Sequence, residues 1–226
     1  MPFSLPAAQL AHPITLPDGT LHKGTVYLKT VIDHPRMSVG DYTYASDFGA
    51  VEDWASHLAP YLFPFSQERL TIGKFCQIAH GVRFIGSSAN HETRGPSTFP
   101  FAVFDPETML GYQPDTRDMT IGHDVWLGYG ALVLPGATIG NGVIVGAGSV
   151  VRGTIPDYAV VTGNPGRVVR MRYSESEIAS LNRLAWWDWA PEKIAAARHL
   201  LERGDVAALL AFNEKYSDGS DVTSGD

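Results

Sequence analysis

The chain has 226 residues, 44% hydrophobic and 18% charged, which suits one soluble domain with a sizeable core and a small appendage. Its 17 Lys and Arg against 24 Asp and Glu leave a net charge of −7, so nothing in the composition attracts nucleic acid or an anionic membrane surface. A single cysteine, Cys76, excludes an internal disulfide framework, and no paired Cys/His spacing points to a metal. No apolar run is long enough to cross a bilayer, and the start Met-Pro-Phe-Ser lacks a secretory signal, so the expected location is the cytoplasm.

In chain order, Val39-Gly40-Asp41-Tyr42-Thr43-Tyr44 reads as an isolated hexapeptide, followed by a loop insertion near 45–70. The insertion's Trp54, Tyr61, Phe63 and Phe65 are expected to pack back onto the body. A six-residue phase then sets in with Ile72, Ile78 and Phe84, each followed four residues on by Cys76, Val82 or Ser88. A second insertion near 86–119 carries turn residues together with Phe99, Phe101, Phe104 and Tyr112, too apolar for disorder, which favours a functional loop.

The period returns as Ile121, Leu127, Val133, Ile139, Val145 and Val151, with Val125, Ala131, Ala137, Val143, Ser149 and Ile155 in a second phase. Glycine fills the turn phases at Gly122, Gly128, Gly140 and Gly146 and again at Gly130, Gly136, Gly142 and Gly148, where φ > 0 costs it nothing. Six residues per corner fit neither a 3.6-residue helix nor a hairpin; three corners close a triangular coil that stacks on the next through parallel strands. After Pro165 the pattern turns helical. Ser174 and Glu177 form a capping-box signature ahead of Ile178, Leu181 and Leu184, Pro191 opens a second helix, and Leu209, Leu210 and Phe212 mark a third. The expected organisation is therefore a β domain over 1–173, a helical appendage over 174–216 and a frayed polar tail over 217–226.

Several ordered motifs make the reading more specific. They are Val-Gly-Asp-Tyr-Thr-Tyr at 39–44, Ile-Gly-Lys-Phe-Cys-Gln-Ile-Ala at 72–79, Ala-Asn-His at 89–91 and Ser-Thr-Phe-Pro-Phe at 97–101. Ile-Gly-His-Asp-Val-Trp-Leu-Gly at 121–128, Gly-Asn-Pro at 163–165 and Leu-Ala-Trp-Trp at 184–187 complete the series. Together they resemble the hexapeptide-repeat xenobiotic acetyltransferases, the group that includes the chloramphenicol and streptogramin O-acetyltransferases. The resemblance implies a mainly β protein built on a left-handed parallel β-helix, against the usual right-handed crossover rule, with inserted loops and C-terminal α-helices. It also implies acetyl-CoA as co-substrate and a homotrimer with active sites between neighbouring subunits. Carried onto this sequence, His91 becomes the base, and Tyr42, Tyr44, Asn90 and Phe101 fall on the acceptor side. The acetyl-CoA side falls at Trp126, Gly128, Gly146, Ala147 and Thr162 and at the turn with Asn164 and Pro165. Arg167 and Arg170 lie where phosphate charge would be met.

The chemistry of the residues is consistent with this. Acyl transfer from a thioester to an alcohol needs the hydroxyl proton removed, and histidine does this near neutrality. His80 and His123 occupy a hexapeptide position expected to face solvent, and His12, His22, His34, His57 and His199 lie outside the repeat motifs, which leaves His91. Cys76 sits at the small inward phase as an apolar filler, and without a Gly-x-Ser-x-Gly elbow direct transfer is favoured over an acyl-enzyme. The rival on the enzyme side is a sugar or nucleotide-sugar O-acetyltransferase. A γ-class carbonic anhydrase-like metalloenzyme would need three convergent histidines, a spacing His80, His91 and His123 do not offer. A non-catalytic β-helix binding protein would be expected to show a regular face of repeated Thr or aromatic ladders.

Overall fold

Three short strands separated by corners make one turn of the chain, and the elements follow that rhythm wherever the six-residue period holds. The computed structural model describes residues 3–112, 115–203 and 205–217. Before the first complete turn come β1 (Thr25–Tyr27), α1 (Leu28–Val31), β2 (Met37–Val39), β3 (Tyr44–Ser46) and α2 (Trp54–Leu58). The next strands are β4 (Leu70–Ile72), β5 (Gln77–Ile78) and β6 (Arg83–Phe84). Beyond the second insertion lie β7 (Met119–Ile121), β8 (Trp126–Leu127), β9 (Leu132–Val133), β10 (Thr138–Ile139), β11 (Ile144–Val145) and β12 (Val150–Val151). They end in β13 (Thr154–Ile155), β14 (Ala159–Thr162) and β15 (Arg167–Met171).

The strands sort into three sheets, ordered β1-β3-β5-β8-β11-β14-β15, β13-β10-β7-β4-β2 and β12-β9-β6. Each third strand returns to the same sheet. Ile121 pairs in parallel register with Ile139, Leu127 with Val145 and Val133 with Val151, so the sequence period becomes a stack of coils. The aliphatic phase and its small partners Val125, Ala131, Ala137, Val143 and Ser149 are buried inside. The protein is thus mainly β with parallel sheets. Val39 to Tyr44 is not isolated: β2 pairs with β4 and β3 with β5, so this hexapeptide begins the stack. β1 against β3 and β14 against β15 are antiparallel, and neither pairing has a sequence period to announce it.

Glycine serves two separate purposes. Gly130, Gly136, Gly142 and Gly148 do take positive φ. In the other phase the reason is close approach: a Cβ on Gly73 would lie 2.4 Å from the Gly122 carbonyl oxygen, and one on Gly128 would lie 2.8 Å from the Ala147 nitrogen. One outward face carries Ser38, Thr71, Thr120, Thr138 and Thr154 in register, all exposed. A regular threonine face therefore coexists here with large insertions, and does not by itself mark a non-catalytic β-helix. The expected packing of the first insertion holds only in part. Trp54, Leu58 and Leu62 are buried, whereas Tyr61, Phe63 and Phe65 are exposed, because Leu62 takes the core-facing position in the segment after α2.

By contacts the chain divides into Ala8–Arg172, which contains the sheets, and a unit joining Met1–Ala7 to Tyr173–Asp226. Within the latter, α3 (Glu175–Leu184) opens on the expected capping box, and α4 (Pro191–Arg203) and α5 (Val206–Ser217) follow. Leu181, Ile194, Ala197, Leu209 and Phe212 are buried. Of the tail expected over 217–226 only Ser217 falls within the described residues, as the end of α5. No helix among the described residues is long and apolar enough to cross a membrane.

Candidate active site

His91 stands on a pedestal. The chain leaves β6 and makes a 3-10 turn over Ser87–Ala89, whose first residue is held from two sides. The Ser87 amide donates to Glu68 Oε1 at 2.8 Å, and its hydroxyl accepts from the Arg117 amide at 3.0 Å. Glu68 is only 2% exposed, so the end of the first insertion fixes the start of the second. His91 Nδ1 lies 2.9 Å from the Thr98 carbonyl oxygen. A carbonyl can only accept, which places the proton on Nδ1 and leaves the Nε2 lone pair available as a base. The adjoining Glu92 amide donates to the Tyr112 hydroxyl at 3.2 Å. Hydrogen bonds from the Arg94 side chain and backbone hold the Glu92 carboxyl down at about 2. Ala89, Asn90, His91, Glu92, Thr93, Arg94 and Asp115 line an open cleft of about 960 Å³.

The other expected site residues fall in separate places. Phe101 belongs to an exposed cluster with Phe99 and Phe104. Tyr42 has φ 62°, a strained conformation for a bulky residue, offset by its stacking on Phe75 at 4.7 Å. Tyr44, half-buried, has its hydroxyl pKa raised by desolvation. It shares one outward row with Gln77, Trp126 and Ile144, and Trp126 is 50% exposed. Gly128, Gly146 and Thr162 stack in one column at the edge of this sheet, and Ala147 follows Gly146 in the next column. Asn164 and Pro165 form an exposed cis turn between β14 and β15, and Arg167 and Arg170 project from exposed β15. Burial pushes the Cys76 thiol up to about 12, and its Sγ lies 3.1 Å from the Gly122 carbonyl, which suits an inert filler.

Two expectations about histidines need correction. His80 and His123 are half-buried rather than solvent-facing, since each is engaged by a neighbouring coil or insertion. The Lys74 amide donates to His123 Nδ1 at 3.0 Å, while His80 meets the buried carboxylate of Asp47. His57 meets the same carboxylate. Sequence reasoning missed this group because Asp47 and His57 lie in the first insertion, where no period assigns positions. The available signal was that Asp47 falls one coil before His80. Among the described residues no group of three His, Cys, Asp or Glu side chains could hold a metal ion.

A family profile described as bacterial transferase hexapeptide (six repeats) matches residues 118–153. The chain is 37% identical over 197 residues to a chloramphenicol acetyltransferase of Agrobacterium fabrum, spanning 83% of this chain and 92% of that protein. It is 38% identical over 160 residues to a probable macrolide acetyltransferase of Lysinibacillus sphaericus, spanning 69% and 88% of the two chains. To a virginiamycin A acetyltransferase of Staphylococcus aureus it is 32% identical over 192 residues, spanning 81% and 84%.

Proposed function

The chain belongs to the hexapeptide-repeat xenobiotic acetyltransferases, and from that premise we propose that it transfers acetyl from acetyl-CoA to a hydroxyl of an antibiotic-like or other xenobiotic small molecule, with His91 as general base. The observation that carries the residue assignment is the His91–Thr98 contact, which turns Nε2 into the free basic nitrogen beside an open cleft. The acceptor oxygen attacks the acetyl carbonyl as His91 Nε2 takes its proton; the tetrahedral intermediate then collapses and expels the coenzyme A thiolate. Asn90, Tyr42, Tyr44 and Phe101 border the acceptor. Trp126, Gly128, Gly146, Ala147, Thr162, Asn164 and Pro165 line the pantetheine track, with Arg167 and Arg170 towards the phosphates. No metal takes part.

The parallel coil is left-handed, residues 1–173 form the acetyltransferase domain, and 174–216 are its helical appendage. Three copies associate so that each site lies between neighbours, and the protein works in the cytoplasm beside its acetyl-CoA supply. Exposed Trp126, Phe101 and Phe104 support such an interface. A coupled assay of coenzyme A release against chloramphenicol, a streptogramin, a macrolide and a series of sugars tests the reading. Turnover on a hydroxylated antibiotic is expected. Turnover confined to sugars would replace the acceptor class, and no turnover together with no acetyl-CoA binding would overturn the proposal.

A further inference from the structure

Asp47, His57 and His80 form a cluster outside every role assigned above. The Asp47 side chain is only 6% exposed, and its Oδ2 lies 2.9 Å from His57 Nε2 and 2.8 Å from His80 Nδ1. Its Oδ1 accepts the Gly49 amide at 2.9 Å. The Phe48 amide points at His80 Nδ1 from a longer 3.4 Å, so the closer carboxylate decides the tautomer and the proton sits on Nδ1. Among the described residues no protein group bonds His80 Nε2. A buried carboxylate that orients an imidazole and leaves its far nitrogen to exchange a proton is the arrangement of a base or acid with its orienter.

The position of this group in the coil stack indicates its partner. Continuing the strand registers one or two residues past each strand puts Asp47, His80, Tyr129, Ala147 and Gly163 in one column along a corner. The far part of that column is the track assigned to acetyl-CoA. From Gly163 to His80 is three ladder steps of about 4.8 Å, or about 14 Å. The pantetheine arm has the backbone length of about four extended residues, which is also about 14 Å. With the phosphate end of the arm level with Gly163, one strand before Arg167, the sulfur comes level with His80. The rings of Phe48 and Tyr129 flank the imidazole, with centroids 4.5 and 5.6 Å away, and both are exposed to meet a ligand.

We propose that His80, oriented by Asp47, protonates the sulfur of the departing coenzyme A thiolate. The inference rests on the acetyltransferase reading. As the C–S bond breaks, its electron pair passes to sulfur; His80 imidazolium gives its Nε2 proton to that sulfur and is left neutral with Nδ1–H on Asp47. Solvent restores the proton, and His91 returns to solvent the one taken from the acceptor. The groups facing His80 are Asp47 after β3, His57 of α2 through the same carboxylate, and Tyr129 of the next coil. His80 stands at the corner after β5 and His91 leaves the coil after β6.

Calorimetry with coenzyme A and with desulfo-coenzyme A, which lacks the sulfur, tests this without knowledge of the acceptor. The wild type should bind coenzyme A about 2- to 10-fold more tightly than the desulfo form, the worth of one hydrogen bond between the thiol and the neutral imidazole. His80→Gln should erase that preference, Asp47→Asn should reduce it, and His57→Gln should keep it. Equal wild-type affinity for the two ligands overturns the inference whatever the variants do. Equal weakening of both ligands in His80→Gln makes the residue structural and overturns it too. If the wild type binds neither ligand, the acetyltransferase reading falls as well, which separates the two failures.

Discussion

The late coils and the two insertions use the same residue types to opposite ends. Between Ile121 and Ile155, position in the repeat decides environment: the aliphatic phase is buried throughout, and the threonine row is exposed throughout. In the insertions Trp54 is buried while Phe65 is 80% exposed, and no spacing separates them. The coils are held by backbone pairing that repeats with every turn. The insertions are held by individual polar groups: Asp53 capping α2, Asp47 joining His57 to His80, and Glu68 and Ser87 tying one insertion to the other. The coils thus depend on a repeated pattern and the insertions on a few single contacts.

Substitutions in the coils and in the insertions should differ in which property moves most. The largest effect is expected for His91→Ala, with kcat falling about 10²–10⁴-fold, since a positioned base is worth that much. His91 is exposed, so the melting temperature should hold; a variant that loses acetyl-CoA binding and stability together would place His91 among the packing residues. On the other side, Leu127→Ala removes a fully buried side chain and should cost about 2–5 kcal/mol of stability by chemical denaturation, with coils and insertions unfolding together.

Asp47 gives a smaller effect with a defined sign. Burial pushes its carboxyl up, but the Gly49 amide, the bond from His57 and the charges of His80 and His57 outweigh that and hold it below the ordinary carboxylate value. Its bonds therefore contribute fully above about pH 4 and are lost as pH falls through the depressed folded value. Asp47→Asn should cost about 1–3 kcal/mol at neutral pH and flatten the acid limb of the stability curve; an unchanged limb would show that Asp47 is not its source. The smallest effect is expected for Thr120→Val on the exposed threonine row, within about 0.5 kcal/mol by thermal melting.

How much was legible follows the same division. Six-residue spacing is a local property, and it sufficed to predict which of Ile121 through Val151 face inward and that strands pair in parallel. The capping box at Ser174 and the start at Pro191 were likewise readable, because helix termini are decided by neighbouring residues. His91 was singled out by its Ala-Asn-His motif, but its orientation by the Thr98 carbonyl was not, since that contact joins two points within an aperiodic loop.

What the sequence determined by itself is whatever depends on the period: the inward phase, the coil and the glycines at its corners. Even there, the reason for half of those glycines came only from stacking, because the approach of Gly73 to Gly122 is a contact between coils 49 residues apart in sequence. Only the tertiary structure decided that Asp47, His57 and His80 meet on one carboxylate. Their spacing encodes nothing local, and a buried carboxylate takes whichever donors the folded chain brings within reach.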